Sequence, residues 1–169
     1  MNKYNIQYPL SSDDIIRLCP GSNIIEYSEI YKINDINDLF GKNGICFILY
    51  LTKAQFGHWT VLFKQNDCLS FFDSYGYQPD DEFSFIKPEM RVKYHQVLPH
   101  LLMLMKDLKV EYNNYKLQKK NANTCGRHCV VRVWNRHLDC DKYVDIVFKP
   151  VENMYDPDQV VTILTNPEL

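Results

Sequence analysis

The segment that most constrains the fold is "GICFILYL", residues 44–51. It is a continuous apolar run of strand length, which is typical of a buried central strand. Two further strand-like segments, "HWTVLFKQ" (58–65) and "CLSFFDSY" (68–75), are joined at Asn66 and Asp67. A two-residue connection of this kind predicts a β-hairpin. The middle of the chain therefore predicts a sheet whose faces must be covered by the remaining segments.

Helical patterns precede and follow these strands. The predicted helices are 11–19, a short turn within 33–41, 90–108 with a start or kink at Pro99, about 124–137, 141–148, and 157–164. Segment 109–118, "KVEYNNYKLQ", alternates like one more strand. This order of elements predicts one α+β domain over residues 1–169.

Composition excludes some classes of function. The net charge of −2 gives no overall field toward nucleic acid or anionic membranes. Lys116, Lys119 and Lys120 form a local basic cluster, which is more typical of a solvated face. No apolar run approaches the ~20 residues that a membrane span requires. The six cysteines are irregularly spaced, which predicts free thiols in a cytosolic protein.

The segment "NANTCG" (121–126) places a thiol at the start of a predicted helix. Thr124 is a suitable N-cap, so Cys125 falls in the first turn, near the positive end of the helix dipole. That position lowers a thiol pKa when an imidazolium is near. Gly126 removes a side chain where a substrate backbone would approach. Cys125 is therefore a candidate nucleophile.

Two other interpretations of Cys125 stay open. It could be a buried structural thiol, the interpretation that also suits Cys129 and Cys140. It could also bind zinc together with His128 and Cys129, although three ligands on one helix without a second pair make a poor zinc site.

A nucleophilic cysteine requires a base, and His58 is the best placed of the five histidines. It begins one predicted strand, and Asp73 ends the next, so the two could lie side by side. His95, His100 and His137 lie in helical stretches, where a surface or core histidine is usual.

When a thiolate attacks a carbonyl group, a negatively charged oxygen (the oxyanion) develops, and hydrogen-bond donors are needed to stabilise it. Backbone N–H groups near Cys125 can supply one donor. The side chain of Gln118, at the end of the predicted strand and seven residues before Cys125, can supply another.

Together, "GHW" at 57–59, "FFDSYG" at 71–76 and a glutamine seven residues before "CG" resemble one family. This is the adenovirus-type maturation cysteine protease, adenain, with its relatives the SUMO- and ubiquitin-like-protein proteases. The resemblance spans roughly residues 45–135. It implies a papain-like fold, a central mixed sheet flanked by helices with the nucleophile at a helix N-terminus.

The resemblance implies that Cys125 is the nucleophile, His58 the base, Asp73 its orienting acid and Gln118 an oxyanion donor. Trp59 would shape the substrate groove. Adenain itself has glutamate as the acid, whereas this chain has aspartate, as the SUMO proteases do.

Similar small proteases occur in virophages, Polinton-like elements and large DNA viruses. The resemblance therefore implies a monomer that cleaves capsid or core precursors at glycine-containing sites, in the host cytoplasm, the virus factory or the virion. No metal, cofactor or membrane is expected. An activating peptide and DNA, which adenain uses, stay open as partners. A deubiquitinase or SUMO-like isopeptidase is the alternative enzyme, and a scaffold or zinc-binding protein is the non-enzyme alternative.

Overall fold

The computed structural model of the chain describes residues 5–166 and is built around a five-stranded sheet. The strands are β1 Asn23–Glu26, β2 Ile45–Lys53, β3 Phe56–Gln65, β4 Cys68–Phe72 and β5 Val110–Tyr112. They lie in the sheet in chain order, with the two outer pairs parallel and the two inner pairs antiparallel. The predicted α+β class with a mixed sheet is confirmed.

Ten helical segments accompany the sheet in residues 5–166. The α-helices are α1 Ser12–Leu18, α2 Pro88–Lys93, α3 His100–Met105, α4 Cys125–Trp134, α5 Cys140–Val147 and α6 Pro157–Leu164. Short 3-10 helices occupy Tyr27–Lys32, Ile36–Leu39, Asp81–Phe85 and Lys149–Val151. The predicted starts of α1 and α6 are confirmed by capping boxes at Ser11 and Asp156.

Both faces of the sheet are covered, which explains why β2 is apolar without alternation. Phe47, Leu49 and Leu51 pack in a first core cluster with residues of α1, α4, α5 and α6. Ile48 and Tyr50 belong to a second cluster, with the first three 3-10 segments and α3. The predicted hairpin is confirmed, because β3 and β4 are antiparallel and joined only by residues 66–67.

Three predicted elements differ from the structure. The helix over 90–108 is two short helices, because the chain turns at His95 (φ +52°) and Gln96 pairs with β2. The Gln96 amide donates to Leu51 O (2.7 Å) and accepts from Leu51 N (2.6 Å), as a neighbouring strand would. Strand β5 ends at Tyr112, so Gln118 lies in a loop, and β1 was not predicted.

Within residues 5–166, every helix is too short or too polar to cross a lipid bilayer.

Candidate active site

Strand pairing brings His58 and Asp73 together. Val61 of β3 pairs with Phe72 of β4, so the next residue, Asp73, lies opposite Thr60. Because side chains alternate along a strand, His58 and Thr60 share a face, and Asp73 becomes a diagonal neighbour of His58. His58 Nε2 lies 2.9 Å from Asp73 Oδ1, and both side chains are buried. The pair that the sequence predicted to lie side by side does so.

Gly57, the residue before His58, must be a glycine. A Cβ there would lie 1.7 Å from the carbonyl oxygen of Tyr50, which is backbone and cannot move aside as a flexible side chain could. The pairing of β2 with β3 becomes irregular between Leu51 and Lys53, beside this contact. The glycine of "GHW" therefore allows β3 to approach β2 where His58 begins the site.

Two residues fix the position of Asp73. The backbone N–H of Tyr75 donates to Asp73 Oδ1 (2.7 Å). The Asn113 side chain accepts from Asp73 N (3.0 Å) and donates to Asp73 O (2.6 Å), so it holds the backbone on both sides. The sequence analysis missed Asn113, since nothing distinguishes it in sequence from the adjacent Asn114.

Stacking holds the ring of His58 in place, and neighbouring charges determine its protonation. The ring of Tyr75 stacks on the imidazole, with centroids 4.8 Å apart and planes at 22°. Burial by itself lowers the pKa of His58, but the charge and hydrogen bond of Asp73, with those of Cys125, hold that pKa well above its ordinary value. His58 therefore favours the protonated, imidazolium form.

Cys125 is the first residue of α4, as predicted, and its side chain interacts with His58 and raises the pKa of the imidazole. Because His58 Nε2 faces Asp73, the ring nitrogen left for the thiol is Nδ1. The N–H groups of the first helical turn have no partner within the helix and lie around Cys125. Asp73, His58 and Cys125 therefore adjoin in that order.

Thr124 occupies the N-cap position, as predicted, but its side chain makes no capping hydrogen bond. Its hydroxyl donates instead to Asp158 Oδ1, on α6. Asp158 also lies 3.0 Å from His128 Nε2 and accepts from Lys119 N (2.9 Å). This buried carboxylate thus joins both ends of the 119–124 loop to α4, and the sequence analysis missed it because it comes from a distant helix.

Gln118 is buried and lines the same groove as Cys125. Its side-chain oxygen accepts from the hydroxyl of Ser74 (2.6 Å), and its amide nitrogen donates to Ala122 O (2.6 Å). An amide nitrogen has two hydrogens, so one donor remains after the bond to Ala122. Ser74, also missed in sequence, thus determines which end of the amide supplies a donor.

Trp59 and Gly126 pack against each other. A Cβ added to Gly126 would lie 3.1 Å from Trp59 Cδ1 and 3.3 Å from Leu10 Cβ. The missing side chain therefore makes room for Trp59, which lines the groove. The role of Gly126 toward a substrate backbone stays a prediction.

The groove has a volume of about 790 Å³. It contains His58, Cys125 and Gln118, together with Trp59. The three lysines of the basic cluster do not act as one patch, since Lys119 pairs with Asp156, Lys116 lies over the Tyr75 ring, and Lys120 lines the groove.

The zinc alternative built on Cys125, His128 and Cys129 is not supported. His128 Nε2 is bound to Asp158, and the Cys129 sulfur lies 3.4 Å from Trp59 O. In residues 5–166 the side chains close enough to share a metal ion are a different set, which includes Glu82. Glu82 lines the groove and was missed by the sequence analysis.

The sequence matches no family model. "Uncharacterized protein V9" of Sputnik virophage is 36% identical over 172 aligned positions, which cover 96% of this chain and 97% of that protein. Among solved structures, the C-terminal Ulp1 protease domain in complex with Smt3, the yeast ortholog of SUMO, is 12% identical. That match covers 90% of this chain and 71% of the other, and its TM-score is 0.33.

Proposed function

The chain belongs to the family of the Sputnik virophage protein V9, and we propose that it is a cysteine endopeptidase. One observation carries the proposal: His58 is hydrogen-bonded to Asp73 and interacts with Cys125, and His58 and Cys125 line the same groove. Gln118 lines that groove with an amide donor available. A structural thiol would need neither the paired imidazole nor the donor.

The first chemical step is attack on a peptide carbonyl. The imidazolium of His58 stabilises the Cys125 thiolate, and the sulfur forms a bond to the carbonyl carbon. The negative oxygen that results accepts hydrogen bonds from the Gln118 amide and from N–H groups at the start of α4. Asp73 keeps the ring oriented and stabilises its positive charge.

The intermediate then collapses. The C–N bond breaks as His58 gives its proton to the leaving amine, and a thioester to Cys125 remains. Neutral His58 takes a proton from water, whose oxygen attacks the thioester. The acid product leaves, and the thiolate and imidazolium are restored.

The architecture, the substrates and the biological role follow from the resemblance to adenain and the SUMO proteases. We propose a papain-like architecture of the adenain and SUMO-protease type and a role in viral maturation. The substrates would be capsid or core precursor proteins with glycine near the scissile bond. The virophage relative supports a virophage or a related element as the source. Cleavage would then occur in the host cytoplasm, the virus factory or the virion.

The test compares the wild type with Cys125→Ala on peptides that contain a Gly-Gly or Gly-X-Gly site. Ubiquitin and SUMO fluorogenic substrates are assayed in parallel. We expect cleavage of the peptides by the wild type alone, with Cys129→Ala as the matched control that keeps activity. Cleavage of only the ubiquitin or SUMO substrates would show that the protein is an isopeptidase and not an endopeptidase. Activity unchanged in Cys125→Ala would overturn the proposal.

A further inference from the structure

Glu82 is a buried carboxylate that the proposed chemistry does not use. It lies in the 3-10 helix Asp81–Phe85, is 7% exposed, and lines the groove. Its Oε2 atom has no hydrogen-bond partner within residues 5–166, and no lysine, arginine or histidine of that range forms an ion pair with it. A buried charge without a partner is costly, so this oxygen is placed where a positively charged group would be stabilised.

The open oxygen belongs to a group of three possible ligands. One atom each from His58, Asp73 and Glu82 lies within 4.8 Å of the others, and all three residues are buried. In a tetrahedral zinc site, with bonds of about 2.0–2.2 Å, neighbouring ligand atoms lie about 3.4 Å apart. The His58 Nε2 to Asp73 Oδ1 distance of 2.9 Å is already close to this spacing. Glu82 can cover the remaining distance by rotating its flexible side chain.

We propose that His58, Asp73 and Glu82 form a binding site for a divalent transition-metal ion of the zinc type. One imidazole and two carboxylates suit Zn²⁺, whereas Mg²⁺ and Ca²⁺ prefer sites made of oxygen alone. Two carboxylates also balance the charge of the ion. Because His58 and Glu82 line the groove, water or another ligand could complete the coordination from there.

The site has a consequence for catalysis, which rests on the proposed function. A metal bound at His58 Nε2 displaces the proton from that nitrogen into solvent, so the ring keeps its proton on Nδ1. Nδ1 is the nitrogen left for Cys125, and giving its proton to the leaving amine would now leave an imidazolate, so the zinc-bound ring is a poor general acid. The ion also separates His58 from its hydrogen bond to Asp73. Zn²⁺ would thus hold the enzyme inactive until it is removed.

The test measures binding in the full chain carrying Cys125→Ala, which removes a competing sulfur ligand and needs no peptidase activity. After removal of metals with a chelator, Zn²⁺ is titrated by calorimetry and Co²⁺ by absorption spectroscopy. We expect one ion per chain, with a cobalt spectrum that lacks sulfur-to-metal charge transfer. Adding Glu82→Gln should weaken binding by at least about tenfold, since it removes a ligand.

The matched control is Glu89→Gln, which changes an exposed glutamate on α2 and should leave affinity unchanged. Thermal unfolding checks that each variant is folded. If Glu82→Gln does not fold, Glu82→Asp replaces it and should also weaken binding, because its carboxylate is one methylene shorter. Absence of a stoichiometric site, sulfur charge transfer in the cobalt spectrum, or affinity unchanged by these Glu82 variants would overturn the proposal. The failure of peptide cleavage would leave this measurement unaffected.

Discussion

The Ser74 hydroxyl donates a hydrogen bond to the side-chain oxygen of Gln118 (2.6 Å), and Ser74 directly follows Asp73, the proposed orienting acid. The backbone N–H of Gln118 also donates to Ser74 O (3.1 Å). One turn after β4 thus positions both the partner of the imidazole and the proposed oxyanion donor. The hydrogen bonds between Ser74 and Gln118 therefore link the position of Asp73 to that of Gln118.

Replacing Ser74 with alanine should lower kcat while KM changes little. Without the hydroxyl, only the bond to Ala122 O holds the Gln118 amide, so its donor is less firmly fixed where the negative oxygen forms. We expect a loss of roughly tenfold, corresponding to about 1.4 kcal/mol, the usual scale for one hydrogen bond. Steady-state kinetics on a glycine-containing peptide give the two constants. Ser84→Ala, at an exposed position, is the control. A change confined to KM would argue against the assigned role of Ser74.

Replacing Asp73 with asparagine should change both the rate and its pH dependence. The charge of Asp73 opposes the effect of burial and raises the pKa of His58. Without that charge, the imidazolium loses its proton at lower pH, so the basic limb of the kcat/KM profile should move to lower pH. We expect the maximum rate to fall by about 10²–10⁴. Asp67→Asn, in the exposed β-turn, should keep the wild-type profile.

The same interaction makes stability depend on pH. The folded-state pKa of His58 is raised by its interaction with Asp73. The contribution of this interaction to the free energy of unfolding is therefore fully present below the unfolded-state pKa of about 6.5. It is lost as pH rises through the raised value. Urea unfolding across that range should show this decline in the wild type and a weaker one in Asp73→Asn. Equal slopes for the two proteins would contradict the assignment.

Iodoacetamide should label Cys125 before the other buried thiols. Burial raises the pKa of Cys19 and Cys46 to about 12 and that of Cys140 to about 11, so these groups hold little thiolate at neutral pH. Cys125 faces the groove beside His58. Mass spectrometry of peptides over time gives the order of labelling. His58→Ala should slow the reaction at Cys125 alone, and a uniform slowing of all sites would indicate a loss of fold instead.

Gly126→Ala should destabilise the protein although alanine favours helices. The added methyl would lie 3.1 Å from Trp59 Cδ1, and both Trp59 and Leu10, its second neighbour, are buried. Strain of this kind costs about 1–3 kcal/mol, against about 1 kcal/mol gained in helix propensity. Urea unfolding should therefore show a net loss. An increase in stability would mean that Trp59 moves aside freely.

Asp158→Asn should destabilise the fold around α4, the helix that begins at Cys125. Lys119 N–H donates to Asp158 Oδ2, while Thr124 and His128 contact Oδ1. An asparagine must turn its NH₂ group toward one of these donors, which leaves a buried group without a partner and costs about 1–3 kcal/mol. Urea unfolding measures the loss, and the exposed Asp141→Asn is the control. A stability equal to the wild type would show that the network is not needed.

Local patterns in the sequence predicted most of the elements. The apolar run of β2, the turn at 66–67 and the capping residues Ser11 and Asp156 each act through neighbours a few residues away. The same local signals placed Cys125 at a helix start. Elements that depend on distant partners were predicted poorly. The predicted helix over 90–108 is interrupted because Gln96 pairs with β2, forty-five residues earlier in the chain.

The sequence by itself determined which residue types could perform the chemistry, because a thiol, an imidazole and a carboxylate are recognisable in their local settings. Only the tertiary structure decided what holds them. Asn113, Asp158 and Glu82 reach the site from separate elements, and no spacing in the chain records those contacts. Hydrogen bonds and desolvation act between atoms that meet in space, so the charge state of His58 and the unpartnered oxygen of Glu82 emerge only when the chain is folded.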